Sequence, residues 1–265
     1  MSPGDLGERV KPFVFLDIFD FAANQVGSMP LHPHSGIATV TVVAEGNLRF
    51  DDPASGSGHI DFGGVEWMRA GSGVWHGKEL SRGTSARVKG FQLWLALPPE
   101  LENGSVESAY LESEHIPSVG PARVILGQHG GAASPVKAPQ GITYLLVSLE
   151  PGERWTYQPA AGETVAWLAV ATGRLDAGTV VEAGAMAIFA DGESSVELEA
   201  VGQGKTIFVL GSARPHAHDL VTGYYSIHTN EDALIRGEAR IVELKKHLDQ
   251  ARTDGGTGSV PVFSG

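Results

Sequence analysis

The chain contains no cysteine. Disulfides and thiolate chemistry are therefore excluded, and any metal it carries must be held by imidazole, carboxylate or water, a donor set that suits Fe, Mn, Ni, Cu or Zn. Basic residues are also short: 19 Lys and Arg against 31 Asp and Glu give a formal charge of −12. That balance opposes attraction to phosphate backbones and argues against direct nucleic-acid binding. No apolar run is long enough to span a bilayer, and the segment from Met1 to Lys11 carries Asp5 and Glu8 without an apolar core. The expectation is a cytoplasmic protein with no membrane partner.

What the chain has in quantity is glycine, 35 residues of its 265. These punctuate short runs rich in Val, Ile, Leu, Thr and aromatics, the pattern of many strands joined by tight turns, so the fold class reads as all-β. Strands are expected over 13–18, 37–43, 47–51, 65–68, 74–76 and 88–97, and again over 142–149, 165–171, 186–189, 195–200 and 206–210. Two halves suit this length, and they resemble each other. Val40-Thr41-Val42-Val43-Ala44-Glu45-Gly46 has a counterpart in Trp167-Leu168-Ala169-Val170-Ala171-Thr172-Gly173, and Phe62-Gly63-Gly64-Val65 in Glu182-Ala183-Gly184-Ala185. The expected units are an N-terminal barrel over 1–137, a second over 138–229, a helix over 230–250 and a flexible tail over 251–265. The helix follows from Leu234, Ile241, Leu244 and Leu248 at helical spacing after a cap at Thr229 or Asn230, with Gly237 as a point of interruption.

His32-Pro33-His34 stands immediately before the strand run that begins at Ile37. Alternate side chains of an extended backbone share a face, so both imidazoles can converge on one ion, and Pro33 fixes φ between them. His76 follows Gly71-Ser72-Gly73, on a later strand that a barrel can fold back beside the pair. Three histidines leave positions open for water or substrate; histidine pairs on strands also serve as plain packing residues. His216 and His218 follow Arg214-Pro215 and read as a loop, and His59, His129 and His228 as surface or turn residues. Trp75 should face away from His76, Val74 should line the cavity, and Trp67 and Trp94 read as core.

Several of these segments resemble the pirin family. They are Lys11-Pro12-Phe13-Val14-Phe15-Leu16-Asp17, Leu31-His32-Pro33-His34-Ser35-Gly36-Ile37, Val65-Glu66-Trp67-Met68-Arg69-Ala70-Gly71, Gly73-Val74-Trp75-His76, Gly90-Phe91-Gln92-Leu93-Trp94 and Ile227-His228-Thr229-Asn230-Glu231-Asp232. The resemblance implies a bicupin of two tandem antiparallel, jelly-roll-like β-barrels. One metal, usually iron, would lie in the first barrel on His32, His34, His76 and a glutamate. The family's usual glutamate position holds Lys78, and Glu79 is one residue further. On a regular strand that shift turns a side chain to the opposite face, so ligation by Glu79 requires a bulge or turn at Gly77; a three-histidine site completed by water is the alternative. The activity implied is dioxygenation of a flavonol such as quercetin, with Glu79 as ligand and catalytic base. The competing implication is a metal-dependent regulatory protein acting through a protein partner.

Overall fold

The computed structural model describes residues 1–27, 30–52 and 55–253. The N-terminal half contributes ten strands: β1 (Phe13–Ala22), β2 (His32–His34), β3 (Ile37–Glu45), β4 (Leu48–Asp52), β5 (Gly56–Ile60), β6 (Val65–Arg69), β7 (Val74–His76), β8 (Leu80–Arg82), β9 (Arg87–Ala96) and β10 (Glu107–Leu111). β1-β9-β3-β6-β10 form an antiparallel five-stranded sheet, faced by the β2–β7 pair and the β5-β4-β8 sheet. β3 is buried over its first eight residues, without alternation. One of its faces lines the barrel interior and the other packs against the second half of the molecule.

The second half repeats the plan. Its main sheet runs in the order Ser118–Val119, Ala122–Leu126, Ile142–Leu149, Thr206–Ala213, Val165–Thr172, Met186–Ile188, and a four-stranded sheet lies alongside. The four strands from Ile142–Leu149 onward correspond in order to β1-β9-β3-β6. The repeated sequence segments occupy equivalent places in the two sheets. Gly63 N–H donates to the Val43 carbonyl and Gly184 N–H to that of Val170, both at 2.8 Å, and all of Gly46, Gly63, Gly173 and Gly184 have φ between 78° and 85°. Those turns require a left-handed residue, which is why glycine recurs there.

The largest apolar core lies between the two main sheets. Val40, Trp67, Leu93 and Leu95 from one meet Tyr144, Leu146, Trp167 and Val209 from the other. Trp67 and Trp167 are fully buried, and Phe13 packs edge-on to Trp167 at 5.3 Å. Separate clusters fill the two barrel interiors.

Helices are few: α1 (Leu6–Arg9), α2 (Pro99–Glu102) and α3 (Glu231–Thr253). α3 is capped by Asn230, whose Oδ1 accepts the Ala233 N–H at 2.9 Å, and it runs uninterrupted through Gly237. It buries Ala233, Ile241, Leu244 and Leu248. No helix among the described residues is long and apolar enough to cross a membrane. From residue 254 onward the expected tail lies outside the described residues.

Candidate metal centre

β2 and β7 pair antiparallel with His32 opposite His76 and His34 opposite Val74. Directly opposed residues share a face, as do residues two apart, so this short ladder gathers all three imidazoles. Their ring centroids are 4.5 to 5.2 Å apart, and one nitrogen from each lies within 4.8 Å of the others. His34 Nδ1 is 3.0 Å from the Tyr225 carbonyl and His32 Nδ1 is 3.0 Å from that of Pro30. A carbonyl only accepts, so both Nδ1 atoms carry the proton and each Nε2 presents a lone pair. The Nε2 atoms of His34 and His76 are buried without a hydrogen-bond partner. Burial, reinforced by His32, pushes the His34 pKa down to about 3, and burial also holds His76 and His32 below the ordinary histidine value. Neutral, inward-facing, unpartnered imidazoles form a donor set that fits a divalent ion.

Glu79 is turned inward and is 4% exposed, whereas Lys78 points outward to the Gly27 carbonyl at 3.0 Å. The turn is made at Gly77, where φ is +125°. Glu79 Oε2 accepts the N–H groups of Gly77 and Lys78 at 2.8 and 2.9 Å, while Oε1 is buried without a hydrogen-bond partner. Glu79 lies outside the set of mutually close imidazole nitrogens. A second cluster, Glu112, Glu114 and His115, is at the surface, where acidic groups gather without needing an ion.

His32, His76 and Glu79 open on a cavity of about 530 Å³. Thr41, Glu66 and Gln92 from the five-stranded sheet line it, with Phe19, Phe21, Leu48 and Leu80 as apolar walls. Burial drives the Glu66 pKa up to about 7, against a lowering hydrogen bond from Thr41. Trp94 packs edge-on to His34 at 4.9 Å, and Tyr225, a non-glycine residue at φ +56°, sets its ring 5.9 Å from the same imidazole.

Behind the histidines lies a buried polar chain. Ser226 Oγ donates to the Tyr224 carbonyl at 3.2 Å and Ser35 Oγ to Ser226 Oγ at 2.9 Å, so His228 Nε2–H donates to Ser35 Oγ at 3.0 Å. Glu102 Oε2 is 3.4 Å from His228 Nδ1, and the Glu102 carboxylate also accepts both the N–H and hydroxyl of Thr229 at 2.7 Å. Serine, histidine and glutamate in this order have the membership of an acyl-transfer triad. Ser35, His228 and Glu102 are 0%, 1% and 2% exposed, however, and line no part of the cavity. The chain ties α2, the start of α3 and the residue after His34 together.

Comparison with known proteins identifies the family and the fold. The sequence profile of the family described as Pirin matches residues 2–95. A pirin-like protein of Caulobacter vibrioides is 32% identical over 209 residues, 76% of this chain and 75% of that protein. The chain belongs to the pirin family. Another relative of this pirin, designated "Putative quercetin 2,3-dioxygenase", is found in Pseudomonas aeruginosa and is 31% identical across 75% of this chain and 74% of its own length. The crystal structure of a quercetin 2,3-dioxygenase from Acinetobacter baumannii superposes with a TM-score of 0.75 at 22% identity, over 95% of this pirin and 89% of that chain. At that identity the likeness concerns the fold, an all-β bicupin.

Some expectations need correction. His228 is not a surface residue but the centre of the buried chain above. Val74 does not line the cavity; it packs with Val14, Ile37, Met68 and Ala70 where side chains fill the barrel. Trp75 does face away, donating from Nε1 to the Ile241 carbonyl at 2.9 Å beneath Lys245. His129 is half-buried against Trp155 and Tyr157. His216 and His218 lie in a segment without regular structure, as expected. Sequence reasoning gave Thr41, Glu66 and Tyr225 no role. The available signal was Glu66, a carboxylate set in the run Val65-Glu66-Trp67-Met68, whose other residues are apolar.

Proposed function

We propose that this pirin is a metal-dependent dioxygenase acting on a flavonol such as quercetin, with one divalent ion, iron first among Fe, Mn, Ni, Cu and Zn, held by His32, His34 and His76. The observation that carries the reading is the meeting of three neutral imidazoles beside a 530 Å³ cavity, with the Nε2 atoms of His34 and His76 buried and unsatisfied and His32 and His76 lining the cavity. That volume falls in the range of about 300–1,000 Å³ typical of small-molecule sites. When bound, the ion supplies Lewis-acid polarisation of a substrate oxygen and a place beside it for dioxygen.

The protein's own groups do the rest. Glu79 Oε1 serves as the fourth donor and as the base that takes the proton of the flavonol hydroxyl, held ready by the two N–H groups that fix Oε2. Phe19, Phe21, Leu48 and Leu80 receive the flat faces of the rings and exclude water. The Pro30 and Tyr225 carbonyls keep the His32 and His34 tautomers in the ligating form.

Aerobic incubation of the iron-loaded protein with quercetin should bleach the flavonol absorbance band with uptake of dioxygen, and His76→Ala should abolish both. A flat trace across the Fe, Mn, Ni and Cu forms would overturn the reading.

A further inference from the structure

The cavity face of the five-stranded sheet carries a row of polar side chains at one register level. Gln92 on β9 is paired with Thr41 on β3, Thr41 with Glu66 on β6, and Glu66 with Tyr110 on β10. Gln92, Thr41 and Glu66 line the cavity directly, and the Tyr110 hydroxyl donates to Glu66 Oε1 at 3.1 Å from behind. Facing the row, Leu48 and Leu80 are apolar.

Glu66 is 5% exposed, and among the described residues no cation pairs with it. Burying a carboxyl without a counter-charge is destabilising, and a leucine or glutamine would fill the same strand position at less cost. Tyr110 occupies one of its acceptor positions and Thr41 stands directly opposite on β3, and a carboxylate has about four. The remaining capacity is available to a ligand hydroxyl in the cavity.

We propose that Gln92, Thr41 and Glu66, the last held by the Tyr110 hydroxyl, form the hydroxyl-recognising wall of this cavity, and that Glu66 sets its preference for polyhydroxylated aromatic ligands over those bearing fewer hydroxyls. The proposal rests on the reading of the cavity as a flavonol-type substrate site and adds a specificity-determining residue remote from the imidazoles. The ring faces lie against the phenylalanines and leucines, the metal-facing oxygens point to the histidines, and the outlying hydroxyls meet the polar row.

Binding without turnover provides the test. The full chain, iron-loaded and kept anaerobic, is titrated with quercetin and with 3-hydroxyflavone by quenching of tryptophan fluorescence. The second ligand keeps the metal-binding oxygen pair but lacks the other ring hydroxyls, so the ratio of the two affinities isolates the wall from the ion. At about pH 8.5, where Glu66 is ionised, the wild type should prefer quercetin by about ten- to a hundredfold, the range expected of one or two hydrogen bonds to a charged group. Glu66→Leu should bring the ratio within about twofold at unchanged metal content, and Glu66→Gln, which keeps a carbonyl acceptor, should retain most of it. An equal ratio in wild type and Glu66→Leu overturns the proposal, as does a wild type that binds both ligands equally or neither. Should Glu66→Leu fail to fold, Glu66→Ala decides: a ratio equal to that of the wild type overturns the proposal. Because dioxygen is absent, a protein that fails to bleach quercetin in air but shows the Glu66-dependent ratio would lose the dioxygenase reading alone.

Discussion

Glu66 and His34 pull the pH dependence of stability in opposite directions. The Glu66 pKa is raised from 4.5 to about 7 by burial, so the folded state holds a proton that the unfolded chain releases. Its contribution is fully present below 4.5 and is lost as pH rises through 7. His34 is lowered from 6.5 to about 3. Its contribution is complete above 6.5 and declines as pH falls toward 3. Replacing Glu66 by Gln removes only the first effect. In the metal-free protein, the difference in Tm between Glu66→Gln and wild type should therefore rise from about pH 5 to about pH 8, where the wild type must ionise a buried carboxyl; a flat difference by thermal denaturation would contradict it. His76→Ala should lower bound metal, measured by elemental analysis, from near one ion per chain to near none, because two imidazoles leave the site short of protein ligands. The histidines were legible because alternation along His32-Pro33-His34 is a local property. Glu66 was visible only as a charge in an apolar run, since nothing in Val65-Glu66-Trp67-Met68 says which alternate residues meet a cavity and which meet the other barrel.

Among the elements, α3 depends on one glycine. A Cβ at Gly237 would sit 2.5 Å from Ser35 Oγ and 2.6 Å from His228 Nε2, so only glycine allows the helix to lie this close to the buried chain behind His34. Alanine is the better helix former by about 1 kcal/mol, yet Gly237→Ala should destabilise the protein by about 1–3 kcal/mol through overpacking, read as a lower midpoint in urea. Ile235→Ala, at a position 65% exposed, should leave that midpoint nearly unchanged. Because Ser35 adjoins His34, Gly237→Ala should also weaken metal retention during dialysis against a chelator. The leucine and isoleucine periodicity made the helix readable, and Asn230 was one of its two cap candidates. Gly237 read as an interruption because intrinsic propensity registers only the helix, whereas the residue is there for what lies across from it.

For the whole molecule, the core shared by the two main sheets makes each barrel part of the other's interior. Trp167→Ala should cost about 3–5 kcal/mol, the usual range for removing a large buried aromatic. Calorimetry should show one transition displaced to lower temperature rather than a second-half transition splitting from the first, because Trp167 packs against Phe13 at 5.3 Å across that boundary. The repeated plan was visible in the paired segments around Gly46 and Gly173, since a turn with φ near +80° demands glycine wherever it occurs. Local pattern by itself determined the eleven strands expected, though not Glu107–Leu111 or Ala122–Leu126, together with the two-fold repeat, the terminal helix and the alternation that puts His32 and His34 on one side. Tertiary structure alone decided that β3 is covered on both faces, that the turn at Gly77 aims Glu79 inward and Lys78 outward, and that His228 is sealed beneath α3. The physical reason is that periodicity tells which side chains point the same way, while the surroundings they point into are supplied by residues far off in the chain.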